Sequence, residues 1–205
     1  MDGEKKRLSA SEADPDQRRT WWEAICHVDP ERLVFVDESG ATIRLTPLTG
    51  RAPRGERCIG QVPRNWGQPT TLLAAMTRDG ITASFVVEGA ADQMVFETFV
   101  EQVLAPTLRP GQVVIWDNLS VHKSPRARQA IEAQGCELRF LPPYSPDFNP
   151  IEQAFSKLKA FLRRAEQRTP DGLWHAIGVG LSQITQHDAR GWFRHCGYLA
   201  PGQYS

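Results

Sequence analysis

Three acidic residues stand out for the places they occupy. Asp37 follows the apolar run Leu33-Val-Phe-Val, Asp117 follows Val113-Val-Ile-Trp, and Glu152 comes directly after Asn149-Pro150-Ile151. Thirty-four residues separate Asp117 from Glu152. Carboxylates on separate elements can converge to hold two divalent ions over a phosphodiester bond, because hard cations take oxygen ligands. Each acid alone has a duller explanation. Asp37-Glu38-Ser39-Gly40 reads as turn chemistry closing a strand, and Asp117-Asn118 reads as the opening of a loop. Asn149, Pro150 and Glu152 fit the N-cap, N1 and N3 positions of a helix, where the carboxylate would only serve a capping box. The conjunction favours chemistry. Functional groups of open α/β sheets gather at the carboxyl ends of strands. Adjacent parallel strands would set Asp37 beside Asp117, with the Glu152 helix starting over the same edge.

The elements that must position these acids follow from pattern. Residues 33–37 form a short strand stopped by Ser39-Gly40, and residues 41–45 are a candidate return strand. Residues 70–76 and 81–88, joined by Arg78-Asp79-Gly80, predict a hairpin. Asp92 can cap a helix carrying Val95, Phe96, Phe99, Val100, Val103 and Leu104 at helical spacing, ended by Pro106 and Pro110-Gly111. Residues 113–116 predict a buried strand, Ser124-Pro125 begins a helix to about Gln134, and residues 138–141 another strand. The last long helical patterns are 151–162 and 173–184. Residues 1–30, with Trp21-Trp22, are expected as a linker or short helix, and 31–205 as one main domain. This order predicts an α/β fold, a mixed sheet with helices on both faces as in the ribonuclease H architecture.

Composition sets the outer limits. A chain of 205 residues, 40% apolar and 23% charged, can bury one sizeable core. No uncharged run reaches the ~18 residues of a membrane span, and the start Met1-Asp-Gly-Glu-Lys-Lys-Arg lacks the apolar core of a signal peptide. A cytoplasmic location is expected. The four cysteines and five histidines show no metal-ligand spacing. Net charge is zero, which argues against a general nucleic-acid binder, but the distribution is uneven. Arg44, Arg51, Arg54, Arg57 and Arg64 share a stretch with one acid, Glu56. Six basic residues between Arg139 and Arg168 face Asp147, Glu152 and Glu166. Solvated faces are the bland reading of both patches. Residues 47–69 hold four prolines and four glycines, a long loop of the kind that is usually functional or disordered. On the 151–162 helix, Glu152, Ser156, Lys159 and Arg163 form a stripe flanking the apolar one at about 100° per residue. Bases in line behind an acid would contact phosphates and position a duplex without reading its sequence.

Three segments carry a family resemblance: Leu33-Val-Phe-Val-Asp-Glu-Ser-Gly40, Trp116-Asp-Asn-Leu-Ser-Val-His-Lys123 and Leu141-Pro-Pro-Tyr-Ser-Pro-Asp-Phe-Asn-Pro-Ile-Glu-Gln153. The sequence from about Arg32 onward, including Arg51-Ala-Pro-Arg-Gly55, closely resembles the mariner-type insertion-sequence transposases of the DDE superfamily. The resemblance implies a ribonuclease H-like fold and cut-and-paste DNA transposition by strand cleavage and strand transfer. It also implies two Mg²⁺ (or Mn²⁺) ions held by Asp37, Asp117 and Glu152. Asn118, His122 and Lys123 become candidates for supporting the site or contacting phosphate, with a plain loop histidine an equal reading of His122. The loop with Arg51, Arg54, Arg57 and Arg64 resembles the insertion that clamps a DNA end or partner subunit, and Lys159 and Arg163 would contact DNA. The implied partners are double-stranded DNA (transposon ends and target) and a second copy of the chain. The helix-turn-helix domains usual in the family are expected to be separate or missing. Two other readings stay open: an idle fragment that pairs with full-length transposase and regulates it, and a nuclease or ribonuclease of the same fold.

Overall fold

The computed structural model describes residues 12–64, 67–117 and 124–199. Five strands, β1 (Leu33–Ala41), β2 (Thr70–Thr77), β3 (Gly80–Glu88), β4 (Val113–Trp116) and β5 (Glu137–Phe140), form one sheet in the order β3-β2-β1-β4-β5. The first three pair antiparallel, whereas β1, β4 and β5 run parallel. Both faces of the central strands are covered, so β1 and β4 read as unbroken apolar runs rather than alternating ones. Alternation still decides which side chain goes where. Leu33, Phe35, Val113 and Ile115 enter the core beneath α4 (Ile151–Ala165), α5 (Pro170–Ser182) and α6 (Gln186–His195). Val34, Val36, Val114 and Trp116 enter the opposite core, against α2 (Gln93–Thr98) and α3 (Pro125–Glu132).

Several expectations hold. The hairpin forms, Asp92 caps α2, and Ser124 caps α3 through its side chain. The tryptophan pair lies on a helix, α1 (Pro15–Ile25), and packs against the body. Others are corrected. Asp37 does not end its strand: β1 continues to Ala41, because Ser39, Gly40 and Ala41 pair with Leu72, Thr71 and Thr70 of β2. Cross-strand pairing overrides the local turn preference of Ser-Gly. The return strand at 41–45 is absent; the chain turns there, with Leu45 N–H bonded to the Thr42 carbonyl. The helix after Asp92 is α-helical only to Thr98. It widens to π geometry over Phe99–Leu104, and Phe99, Val100 and Leu104 are all fully buried.

Helix α6 is an addition to the expected set. Thr185 and Asp188 make a reciprocal capping box at its start, and Lys157 of α4 sits 2.5 Å from Asp188. The Lys157 bond first, then the Thr185 backbone, hold the Asp188 carboxyl down at about 2 from 3.8. A lowered carboxyl stabilises the fold fully above its unfolded value and loses that contribution as pH falls from about 4 to about 2. Replacing Asp188 by Asn is expected to lower the pH 7 melting point by a few degrees, about 1 kcal/mol for a lost cap and a solvent-screened pair. Calorimetry across the acid range should find that difference closing by pH 2. Phe193 carries α6 onto the sheet: it is fully buried, with its ring edge-on to Phe35 at 5.4 Å. Phe193→Ala is expected to cost about 3–5 kcal/mol in urea unfolding.

Candidate active site

Parity brings the two aspartates together. The last parallel pair between β1 and β4 is Phe35 with Ile115. Asp37 and Asp117 each lie two residues further on, so both point to the face that packs under α4. Beyond that pair β4 stops at Trp116 while β1 keeps its ladder with β2. The sheet opens there, and the opening is a cleft of about 400 Å³ lined by Asp37, Asp117 and Glu152 together with Asn149. Its wall is the proline-rich segment 141–146, also part of the lining.

The third acid arrives by a different local structure from the capping box. Helix α4 starts at Ile151, with Pro150 in the cap position and no side-chain capping bond. Asn149 is turned away from the helix: its side-chain amide donates to Asp37 Oδ2 at 2.8 Å. A carboxylate is a strong acceptor for that amide, and the bond directs the Asn149 side chain toward β1. Glu152 is therefore released from capping and stands exposed in the first turn, at the cleft. Asp37 is half-buried and accepts from two sides, its Oδ1 taking the Glu38 backbone N–H at 2.7 Å.

The corner before α4 is braced from three directions. Arg18 of α1 makes two bonds to Asp147, at 2.9 and 2.7 Å, and lies 4.1 Å over the Phe148 ring. Trp21 and Trp22 stack on the same ring at 5.3 and 5.5 Å. The Tyr198 hydroxyl donates to the Phe148 carbonyl at 2.7 Å, and burial pushes the pKa of that phenol well above its usual value. Within the cleft wall Tyr144 adopts a left-handed backbone (φ 55°) and is exposed, a conformation that costs energy for a residue other than glycine.

The remaining expected residues are dispersed. Asn118, His122 and Lys123 lie outside the described residues. Arg51, Arg54, Arg57 and Arg64 are exposed on the long segment between β1 and β2, and none lines the cleft. Lys159 and Arg163 follow Glu152 along α4; neither has an ion-pair partner among the described residues, and neither lines the cleft. Three other bases of that patch have structural duties: Arg139 bonds Glu137 and the Ala24 carbonyl, Lys157 bonds Asp188, and Arg168 bonds the Ile43 and Leu45 carbonyls. The basic patch is thinner than its composition suggests. Sequence reasoning missed Asn149 as part of the site, having assigned it to the cap. The one available signal was its place three residues before Glu152.

Among the described residues, no three His, Cys, Asp or Glu side chains are gathered into a finished metal cage. The donors nevertheless suit a hard divalent cation: the charged groups lining the cleft are carboxylates, with room left for other oxygen ligands.

Residues 32–172 match the family described as DDE superfamily endonuclease. No curated protein compared with the sequence matches it. Among solved structures, the chain is similar to the Mos1 strand transfer complex (TM-score 0.72, 15% identity), covering 95% of this chain and 62% of that one. The Mos1 mariner paired end complex with Mn gives a TM-score of 0.72 at 15% identity, covering 96% and 64%. The Mos1 catalytic domain with raltegravir and Mg gives 0.65 at 12% identity, covering 90% and 92%. The chain thus spans less than two-thirds of the transposase chains in the first two structures and most of the isolated catalytic domain. A ribonuclease H-like sheet with this topology, matched by the family over most of its length, makes the chain a member of the DDE superfamily endonucleases.

Proposed function

We propose that this chain is the catalytic domain of a cut-and-paste DNA transposase, with Asp37, Asp117 and Glu152 as its metal-holding catalytic residues. The observation that carries the reading is one cleft lined by these three acids, where the parallel pairing of β1 with β4 ends and helix α4 starts. Family membership supports endonuclease chemistry, and the Mos1 structures, solved in paired-end and strand transfer complexes and with Mn or Mg, support DNA and divalent cations as partners. Two Mg²⁺ or Mn²⁺ ions would activate the attacking water or 3′-hydroxyl and stabilise the leaving oxygen.

The chain's own residues have separable tasks in this scheme. Asp37 and Asp117 present carboxylate oxygens from one sheet edge, and Glu152 presents its own from the facing helix turn. Lys159 and Arg163 lie further along α4, where they would take neighbouring phosphates of the duplex. The segment between β1 and β2 exposes Leu48, Ile59 and Val62 among its arginines. That mixture suits both a DNA end and the second copy of the chain needed to hold two ends together. Within this reading residues 31–205 are the catalytic domain, and α1 is an appendage docked onto it. No helix among the described residues is long and apolar enough to cross a membrane. The proposed action on DNA is our reason for placing the protein in the cytoplasm, on DNA when bound.

Asp37→Ala, Asp117→Ala and Glu152→Ala should each lower Mn²⁺-dependent strand cleavage by at least ~100-fold in the enzyme joined to its recognition domain, since each removes a charge-stabilising ligand. Cleavage that persists in all three would end the assignment. Phosphate contacts have their own signature. In fluorescence anisotropy with a non-specific duplex, Lys159→Ala/Arg163→Ala should reduce the slope of log K against log salt by about 2, from ~0.9 per lost contact. An unchanged slope would remove those two residues from the DNA path.

A further inference from the structure

We propose that Asn149 is a positioning residue for the first catalytic aspartate, holding the Asp37 carboxylate in the single orientation that presents it to the metal. The inference rests on the proposed metal site. Three features of Asn149 point the same way. Its side-chain N–H donates to Asp37 Oδ2 at 2.8 Å, while the Glu38 backbone N–H occupies Oδ1 at 2.7 Å. Both oxygens are engaged, so rotation of the carboxylate is blocked. Asn149 is 2% exposed, so water does not compete for that bond.

The third feature is a defect. The other end of the amide, Asn149 Oδ1, is buried and has no hydrogen-bond partner among the described residues. Buried polar atoms are nearly always paired, because leaving one unmade is costly. Turning the amide over gives no relief, since its carbonyl would then face a carboxylate that can only accept. A residue kept for packing or capping would not retain this orphan, and Asn149 makes no capping bond. What the side chain does make is a bridge between β1 and the residue three places before Glu152. One bond thereby ties the sheet acid to the element that delivers the helix acid.

The test is calorimetric titration of Mn²⁺ into the parent chain, Asp117→Asn, Asn149→Ala and Asn149→Leu, with a metal-free melting curve for each. Leucine has nearly the shape of asparagine, so it fills the space while removing both the donor and the orphaned acceptor. Loss of an oriented partner behind a metal ligand typically weakens binding 10–100-fold. Both Asn149 variants should therefore bind Mn²⁺ at least ~10-fold more weakly, with the leucine variant melting at or above the parent temperature. A purely structural role predicts the opposite pattern: leucine restores whatever alanine loses. Mn²⁺ affinity within about two-fold of parent in the leucine variant, with binding lost in Asp117→Asn, overturns the positioning role alone. If the alanine variant fails to fold, the leucine variant decides. Parent binding that is absent, or that survives Asp117→Asn, overturns the metal site itself and this inference with it.

Discussion

Everything at the site depends on the parallel register of β1 against β4. Side chains of a strand alternate between faces, so a shift of one residue would send an acid to the other core. Pairing Phe35 with Ile115 fixes the match two residues later, where Asp37 and Asp117 emerge on the same side. Packing enforces this register. Phe35 and Ile115 are fully buried in the core beneath α4, Val34, Val114 and Trp116 in the opposite one. Slippage would push these side chains into the wrong layer, at the cost of their burial. The chemistry is thus held in place by apolar contacts made before the cleft begins.

The second constraint acts on the corner between β5 and α4, which has to hand Glu152 to the cleft. The corner contains no long regular element, only a short helical turn at Pro146–Phe148. Its order comes from neighbours: the Arg18–Asp147 pair, the tryptophans stacked on Phe148 and the Tyr198 hydroxyl on the Phe148 carbonyl. An ion pair at the surface contributes little by itself. Here the guanidinium also covers an aromatic face, so charge and packing reinforce one another.

Much of this was legible in the residues. Apolar runs ending in Asp, the Arg-Asp-Gly hairpin, and the caps at Asp92 and Ser124 are local signals, and the structure realises them. The misses share a cause. Ser39-Gly40 has the composition of a turn, and only its pairing with Leu72 and Thr71 makes it a strand. Asn149 has the composition of a cap, and only Asp37, 112 residues away, draws it elsewhere. Helix α6 has a capping box of its own, but its apolar face is narrow: Ala189 and Phe193 are its buried residues. Such a helix is stabilised mainly by the surface it meets. In each case the deciding partner is remote in sequence, and pattern reading weighs only near neighbours.

The bracing of Phe148 has a consequence for how the protein comes to be active during synthesis. Trp22, made early, stacks on Phe148 and packs at a tilt against Tyr198, which is made late. About 160 residues separate Asp37 from Tyr198, a gap of roughly 10–30 s at ordinary elongation rates. Until Tyr198 leaves the ribosome, the corner lacks its hydroxyl donor and one wall of the aromatic stack. Strands β1 and β4 can already pair in the nascent chain, yet the segment that delivers Asn149 and Glu152 is not fully held. Assembly order therefore makes the cleft one of the last parts of the molecule to become rigid, well after its first acid has been translated.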